Sequence, residues 1–216
     1  SHFQASEAGM AILKNGGTAI EAMVAAAAAI AVAYPHMNSL GGDGFWLIHE
    51  PGKQPVAINA AGVSAAQASA AWYQNRNYAQ IPSRGSAAAL TVAGTVSGWQ
   101  LALEISEKWQ SGIGLENILH AAIHLARNGI IVTESLAAAS RKTINELSAA
   151  AGFSDRYLPN GDVLRVGETL RNEPLADLLQ HLSLAGLDDF YRGKTADCIA
   201  VNLAKAGSPL TRSDLA

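Results

Sequence analysis

Few side chains in this sequence are spaced to do chemistry, and those few lack the company that chemistry needs. His120 and His124 stand four apart in "HAAIH", on one face of a predicted helix, a spacing that can ligate a metal. The pair lacks the glutamate of the zinc-protease motif, and no cysteine or carboxylate cluster nearby completes a site. They read as ordinary, partly buried histidines. Serines are frequent, yet none sits in a G-x-S-x-G elbow, and none has a histidine at a telling spacing. Neither a catalytic set nor a cofactor or metal site is expected within the chain.

The glycine-rich stretch "PHMNSLGGDGFW" (35–46) places Gly41, Gly42 and Gly44 within four positions. Glycines packed in this way serve a backbone that turns sharply or comes close to another group. A Walker A loop would need a following Lys-Ser/Thr, and a dinucleotide fingerprint would need strand, glycines, then helix. Here the order is helix, glycines, strand, and Asp43 would repel a phosphate. The stretch is therefore a turn from a helix into a strand, with Asn38 and Ser39 on the side expected to face a pocket.

The elements around this turn follow from the apolar patterning. Residues 5–17 predict a helix stopped by Gly16–Gly17. Thr18 and Glu21 then have the spacing of a capping box. The helix that Thr18 caps, running through the alanine-rich "AMVAAAAAIAVAY" to Tyr34, is apolar nearly all round and should be buried. Pro35 ends it by forcing Tyr34 into an extended conformation. "FWLIHE" (45–50) and "VAINAA" (56–61), joined by "PGKQP", predict a β-hairpin whose imperfect alternation fits a sheet covered on both faces. Further helices are predicted over 64–75, 95–109, 115–129, 134–152, 174–186 and 194–207, with a long Ser/Gly/Ala-rich loop at 75–94. Thr211 and Asp214 resemble the opening of one more helix. A hairpin alone is a marginal sheet, so its partners are expected outside these residues. The sequence reads as one domain over 1–216 that forms part of something larger, mostly helical and of the α+β class.

Hydrophobic residues make up 49% of the 216 and charged residues only 15%. The charged share is below the usual level of about 25%, which suggests that another subunit or more chain covers part of the surface. The net charge of −3, without a basic block, gives no support for nucleic-acid or membrane binding. The alanine-rich run is too short for a bilayer, which needs about 20 apolar residues. Cys198 is the lone cysteine, so no internal disulfide can form and the redox compartment stays open. A cytoplasmic location is expected, with the periplasm as the alternative.

The order of the segments carries more than any single motif. "ASEAGMAILKNGGTAIEAMVAAAAAIAVAYP", "LGGDGFWLIHE", "TVAGTVSGW", "AAIHLARNGIIVTESLA", "DDFYRGKTADCIA" and "LTRSDLA" together resemble the γ-glutamyltransferase family from the first residues to the last. That resemblance implies an N-terminal-nucleophile hydrolase, made as a precursor that cuts itself. The implied fold is a four-layer αββα sandwich shared by two subunits. This chain would be the N-terminal part of the large subunit. The nucleophile would be the N-terminal threonine of the small subunit, with its own α-amino group as base. The implied assembly is a dimer of large/small heterodimers.

Where the sequence departs from the family pattern, it bears on the substrate. The family arginine that binds a glutamyl α-carboxylate corresponds to Ala61, in "INAAGVSA", and alanine lacks the planar fork of donors such a group needs. The lost pair is worth about 1.5–3 kcal/mol. The P-G-T-V block reads Ala93-Gly94-Thr95-Val96, without proline. The resemblance therefore implies amide hydrolysis without glutathione specificity, as in cephalosporin-acylase-like members and oxamate amidohydrolase. The expected substrate is a small amide of oxamate type. Arg84, in "PSRGSA", is the cation nominated for its anionic end. The alternatives are a true γ-glutamyl transferase, with Arg84 holding the carboxylate, and a degenerate, non-catalytic member.

Overall fold

The computed structural model describes residues 2–150, 152–158 and 161–216. In chain order the elements are α1 (Phe3–Lys14), α2 (Ala19–Ala33), β1 (Gly44–Ile48), β2 (Val56–Ala60), α3 (Ala70–Gln74), α4 (Thr95–Glu107), α5 (Leu115–Asn128), β3 (Ile130–Ile131), α6 (Glu134–Leu147), α7 (Phe153–Tyr157), β4 (Thr169–Leu170), α8 (Glu173–Ala185), α9 (Asp189–Arg192) and α10 (Lys194–Ala206). The chain divides into two compact units, one of residues 1–62, 93–130 and 171–188, the other of residues 63–92, 131–170 and 189–216.

The first unit is organised around α2. The capping box read from the sequence is present: the Thr18 hydroxyl accepts from the Glu21 N–H at 3.1 Å, and Glu21 Oε2 accepts from the Thr18 N–H at 2.7 Å. Glu21 is only 6% exposed, and its second oxygen accepts from the Ser111 hydroxyl at 2.6 Å. This carboxylate therefore ties the start of α2 to the segment leading into α5. Behind the cap, Val24, Ala25, Ala28 and Ala29 are buried, and α2 packs on α1 and α5, with α5 packing in turn on α8. Small side chains bring the axes close. A Cβ on Gly9 of α1 would lie 2.9 Å from the Ala22 carbonyl oxygen, so glycine is required where the two helices cross. Gly16, at φ +84°, reverses the chain after α1, and the Gly17 N–H reaches back to the Ile12 oxygen at 2.9 Å.

β1 and β2 pair antiparallel, with Gly44 opposite Ala60, Trp46 opposite Ile58 and Ile48 opposite Val56. Ile48, Ile58 and Ala60 are buried, and α4 packs against the hairpin. Two glycines, one at the start of α4 and one within it, permit the contact. A Cβ on Gly94 would overlap the Ala60 carbonyl, and one on Gly98 would lie 2.9 Å from the Ala60 Cβ and 3.2 Å from the Trp46 indole nitrogen. The opposite face of the hairpin is bare on this chain: Phe45 is 71% exposed and Leu47 78%. The imperfect alternation noted in the sequence thus corresponds to one face packed within the first unit and one apolar face left exposed among the described residues.

In the second unit the predicted helix over 64–75 is cut to Ala70–Gln74. Ser64 instead bridges Thr91, and the Ser69 hydroxyl caps the short helix by accepting from the Trp72 N–H at 3.2 Å. The segment 75–94 holds no helix or strand before α4, as expected of a long loop, and it is pinned internally. The Tyr73 hydroxyl donates to the Ala87 oxygen at 2.9 Å, the Ala65 N–H to Leu90 at 2.7 Å and the Val92 N–H to Val63 at 2.9 Å. The helix predicted over 134–152 stops at Leu147, and Ala151 lies outside the described residues. The short elements α7, α9, β3 and β4 have no counterpart among the elements expected from the sequence. At the far end, Thr211 and Asp214 form a capping box around a single 3-10 turn, Arg212–Asp214. Asp214 Oδ1 also accepts from the Ala66 N–H at 2.8 Å. No helix among the described residues is long and apolar enough to cross a membrane.

Candidate functional site

A cleft of about 600 Å³ opens at the glycine turn of the first unit, between the C-terminal half of α2, the turn and the start of α4. Its walls include His36, Asn38, Ser39, Asp43, Trp46 and Thr95. The turn is held in shape by α4: the Thr95 N–H donates to the Gly42 oxygen at 2.9 Å, and its hydroxyl donates to Gly42 at 2.9 Å and to the Asp43 oxygen at 3.2 Å. Thr95 is buried, so its hydroxyl is engaged in structure and is not free to attack a substrate. The Asn38 amide donates to the Tyr34 oxygen at 3.5 Å, and the exposed Ser39 hydroxyl has no histidine or carboxylate bonded to it among the described residues.

Two titratable groups, His36 and Asp43, are among the described residues lining this cleft, and they differ in charge. His36 rests against the Tyr34 ring with centroids 4.1 Å apart, and neither ring nitrogen has a hydrogen-bond partner among the described residues. Burial pushes its pKa below the ordinary value, which keeps the imidazole neutral at pH 7. Asp43 is exposed, and its Oδ1 accepts from the Gly62 N–H at 3.1 Å. No lysine or arginine is among the described residues lining the cleft.

Of the four positions nominated from the sequence, Asn38 and Ser39 line the cleft. Ala61 is exposed at the end of β2, next to Gly62 and so beside the Asp43 carboxylate, without being a lining residue. Arg84 belongs to the second unit, where its guanidinium Nε donates to Glu146 at 2.6 Å. His120 and His124 are exposed on α5, not partly buried, with ring centroids 6.5 Å apart. Among the described residues no three His, Cys, Asp or Glu side chains gather as metal ligands would. Sequence reasoning did not find Thr95 as the clamp on the turn. Its signal lay in "AGTVSGW", where two glycines frame a threonine at the start of a helix. His36 gave no signal beyond its place after Pro35.

Comparison with known proteins defines the class. The gamma-glutamyltranspeptidase profile matches residues 5–216, and the chain belongs to that family. Among its relatives, the oxamate amidohydrolase proenzyme of Klebsiella pneumoniae is 48% identical over 99% of this chain and 40% of that protein. The glutathione hydrolase proenzyme of Escherichia coli is 34% identical over 98% of this chain and 36% of that protein. The chain thus spans roughly two fifths of the length of these relatives. Among solved structures, the gamma-glutamyltranspeptidase of Helicobacter pylori superposes with a TM-score of 0.88 at 27% identity, covering 100% of this chain and 61% of the other. Cephalosporin acylase from Bacillus halodurans superposes with a TM-score of 0.86 at 31% identity, covering 98% of this chain and 40% of the other. The α+β fold of the N-terminal-nucleophile hydrolases, expected from the order of the segments, is the fold of the chain.

Proposed function

We propose that this chain forms one wall of the substrate cleft in an amidohydrolase of the gamma-glutamyltranspeptidase family, acting on a small amide of oxamate type. The observation that carries this reading is the 48% identity to the oxamate amidohydrolase proenzyme along 99% of the chain. Among the described residues the cleft walls hold no activated nucleophile, which fits a reaction whose attacking group lies elsewhere. In this proposal a threonine at a new N-terminus, created when a longer precursor cuts itself, attacks the amide carbon. Backbone N–H groups hold the oxyanion, the amine leaves with a proton, and water hydrolyses the acyl-enzyme ester. The bare face of the hairpin, Phe45 and Leu47, is where the remainder of the precursor packs. The assembled enzyme is a dimer of such heterodimers. Of the nominated residues, Asn38 and Ser39 contact substrate, Ala61 leaves the glutamyl carboxylate without its arginine, and Arg84, whose Nε is bonded to Glu146, has its terminal guanidinium nitrogens left for an anion.

The test uses the full-length gene product. Two bands on a denaturing gel and release of ammonia from oxamate, with little turnover of a γ-glutamyl anilide, are expected. A single uncleaved band with no amide turnover would instead indicate a degenerate family member. Robust γ-glutamyl turnover that disappears in Arg84→Ala would favour a γ-glutamyl transferase, a reading that the 34% identity to a glutathione hydrolase proenzyme keeps in play.

A further inference from the structure

We infer that Asp43 sets the polarity of this cleft wall, so that it receives the uncharged amide end of a ligand, or a cationic group, and turns away a carboxylate. This deepens the proposed function and rests on reading the cleft as a substrate site. The carboxylate is oriented by one bond: Oδ1 accepts from the Gly62 N–H at 3.1 Å, while Oδ2 has no bond among the described residues. The turn that carries it is itself clamped, since Thr95 takes both the Gly42 and the Asp43 carbonyls. The backbone bearing the charge is therefore held at the cleft, and the Gly62 N–H favours one orientation of the carboxylate.

Nothing among the described residues lining the cleft offsets that charge. His36 is the other titratable group there, its ring nitrogens are buried, and it is neutral at pH 7. Asn38 and Ser39 add amide and hydroxyl groups, which hydrogen-bond a carboxamide well and bring no charge. Asp43 also stands beside the exposed Ala61, which offers no donor beyond its backbone. For a ligand with a carboxylate at one end and an amide at the other, this wall takes the amide end. The anionic end must then be held by groups outside it.

A thiol reporter reads the local potential directly and does not depend on turnover. Ser39→Cys in the full-length protein places a thiol in the cleft; the Ser39 hydroxyl lies 3.8 Å from where a Cβ on Gly42 would stand. Alkylation of this introduced thiol is followed by peptide mass with iodoacetamide, which is neutral, and iodoacetate, which is anionic. Any change in thiolate population affects both reagents equally and cancels in their rate ratio. Adding Asp43→Asn, which keeps the acceptor for Gly62, should raise the iodoacetate-to-iodoacetamide ratio about fivefold at low ionic strength. The effect should shrink as salt is added. The exposed Cys198, in the second unit, should show no change. A ratio at the introduced thiol that Asp43→Asn leaves unchanged overturns the inference, as does an introduced thiol closed to both reagents. Failure of the amide-hydrolase reading would show separately, as absence of amide turnover by the unsubstituted full-length protein, with the thiol ratio still responding to Asp43.

Discussion

Thr95 carries two duties. Its N–H and hydroxyl hold the Gly42 and Asp43 carbonyls, and it opens α4 next to the glycine that lets α4 touch β2. Thr95→Val keeps the shape and removes the hydroxyl, leaving the bonded carbonyls short of a donor. It should cost the full-length protein about 1–3 kcal/mol, read as a fall in the urea midpoint, whereas Thr95→Ser should recover most of the loss. Equal midpoints for the Val and Ser variants would show that the hydroxyl does not hold the turn. Legibility at this scale was uneven. The Thr18–Glu21 box was readable because both partners lie three residues apart. The Thr95 clamp was not, because its acceptors are backbone atoms more than fifty residues earlier (|i−j| of 52 and 53), which no local pattern records.

At the scale of elements, periodicity served the long helices well. α2, α4, α5, α8 and α10 start and stop within about two residues of expectation, since apolar stripes and terminal glycines mark them. It failed where non-local pairing took over. The run over 64–75 has helix-forming alanines, but Ser64 is claimed by Thr91, and only the residues after Ser69 remain helical. The same unit is tied by Asp214. Partial burial pushes its carboxyl up, but the N–H groups of Ala66 and Thr211 and the Thr211 hydroxyl outweigh this and leave its pKa below the ordinary value. A carboxyl whose folded value is depressed contributes stability above its unfolded pKa of about 3.9, lost as the pH falls through the folded value. Asp214→Asn should therefore lower the thermal midpoint at pH 7 while narrowing the drop between pH 7 and pH 3. An unchanged drop would mean that the Ala66 tie does not depend on charge.

For the whole molecule, the hairpin's outer face is the telling surface. Burying a leucine stabilises a contact by about 1.5–3 kcal/mol, and Phe45 and Leu47 are both left to be covered. Under the proposed self-cleavage, Leu47→Asp in the full-length protein should leave the helices around α2 folded by circular dichroism yet reduce processing and co-elution of the fragments. Normal processing in that variant would show that nothing packs there. The sequence conveyed that the hairpin needed partners, because two strands do not make a stable sheet, but which face was bare required the register of Phe45 opposite Asn59 and Leu47 opposite Ala57.

The discontinuity of the two units bears on how the protein is made. α5 and then α8, which complete the surroundings of α2, leave the ribosome well after it, and the second unit waits for Asp214 to reach back to Ala66. At about 5–20 residues per second, a hundred residues take on the order of ten seconds to synthesise. Throughout that interval the faces of this alanine-rich, almost uncharged helix that α5 covers lack their partner. Nascent-chain binding by a chaperone should therefore concentrate on α2 and fade as α5 emerges.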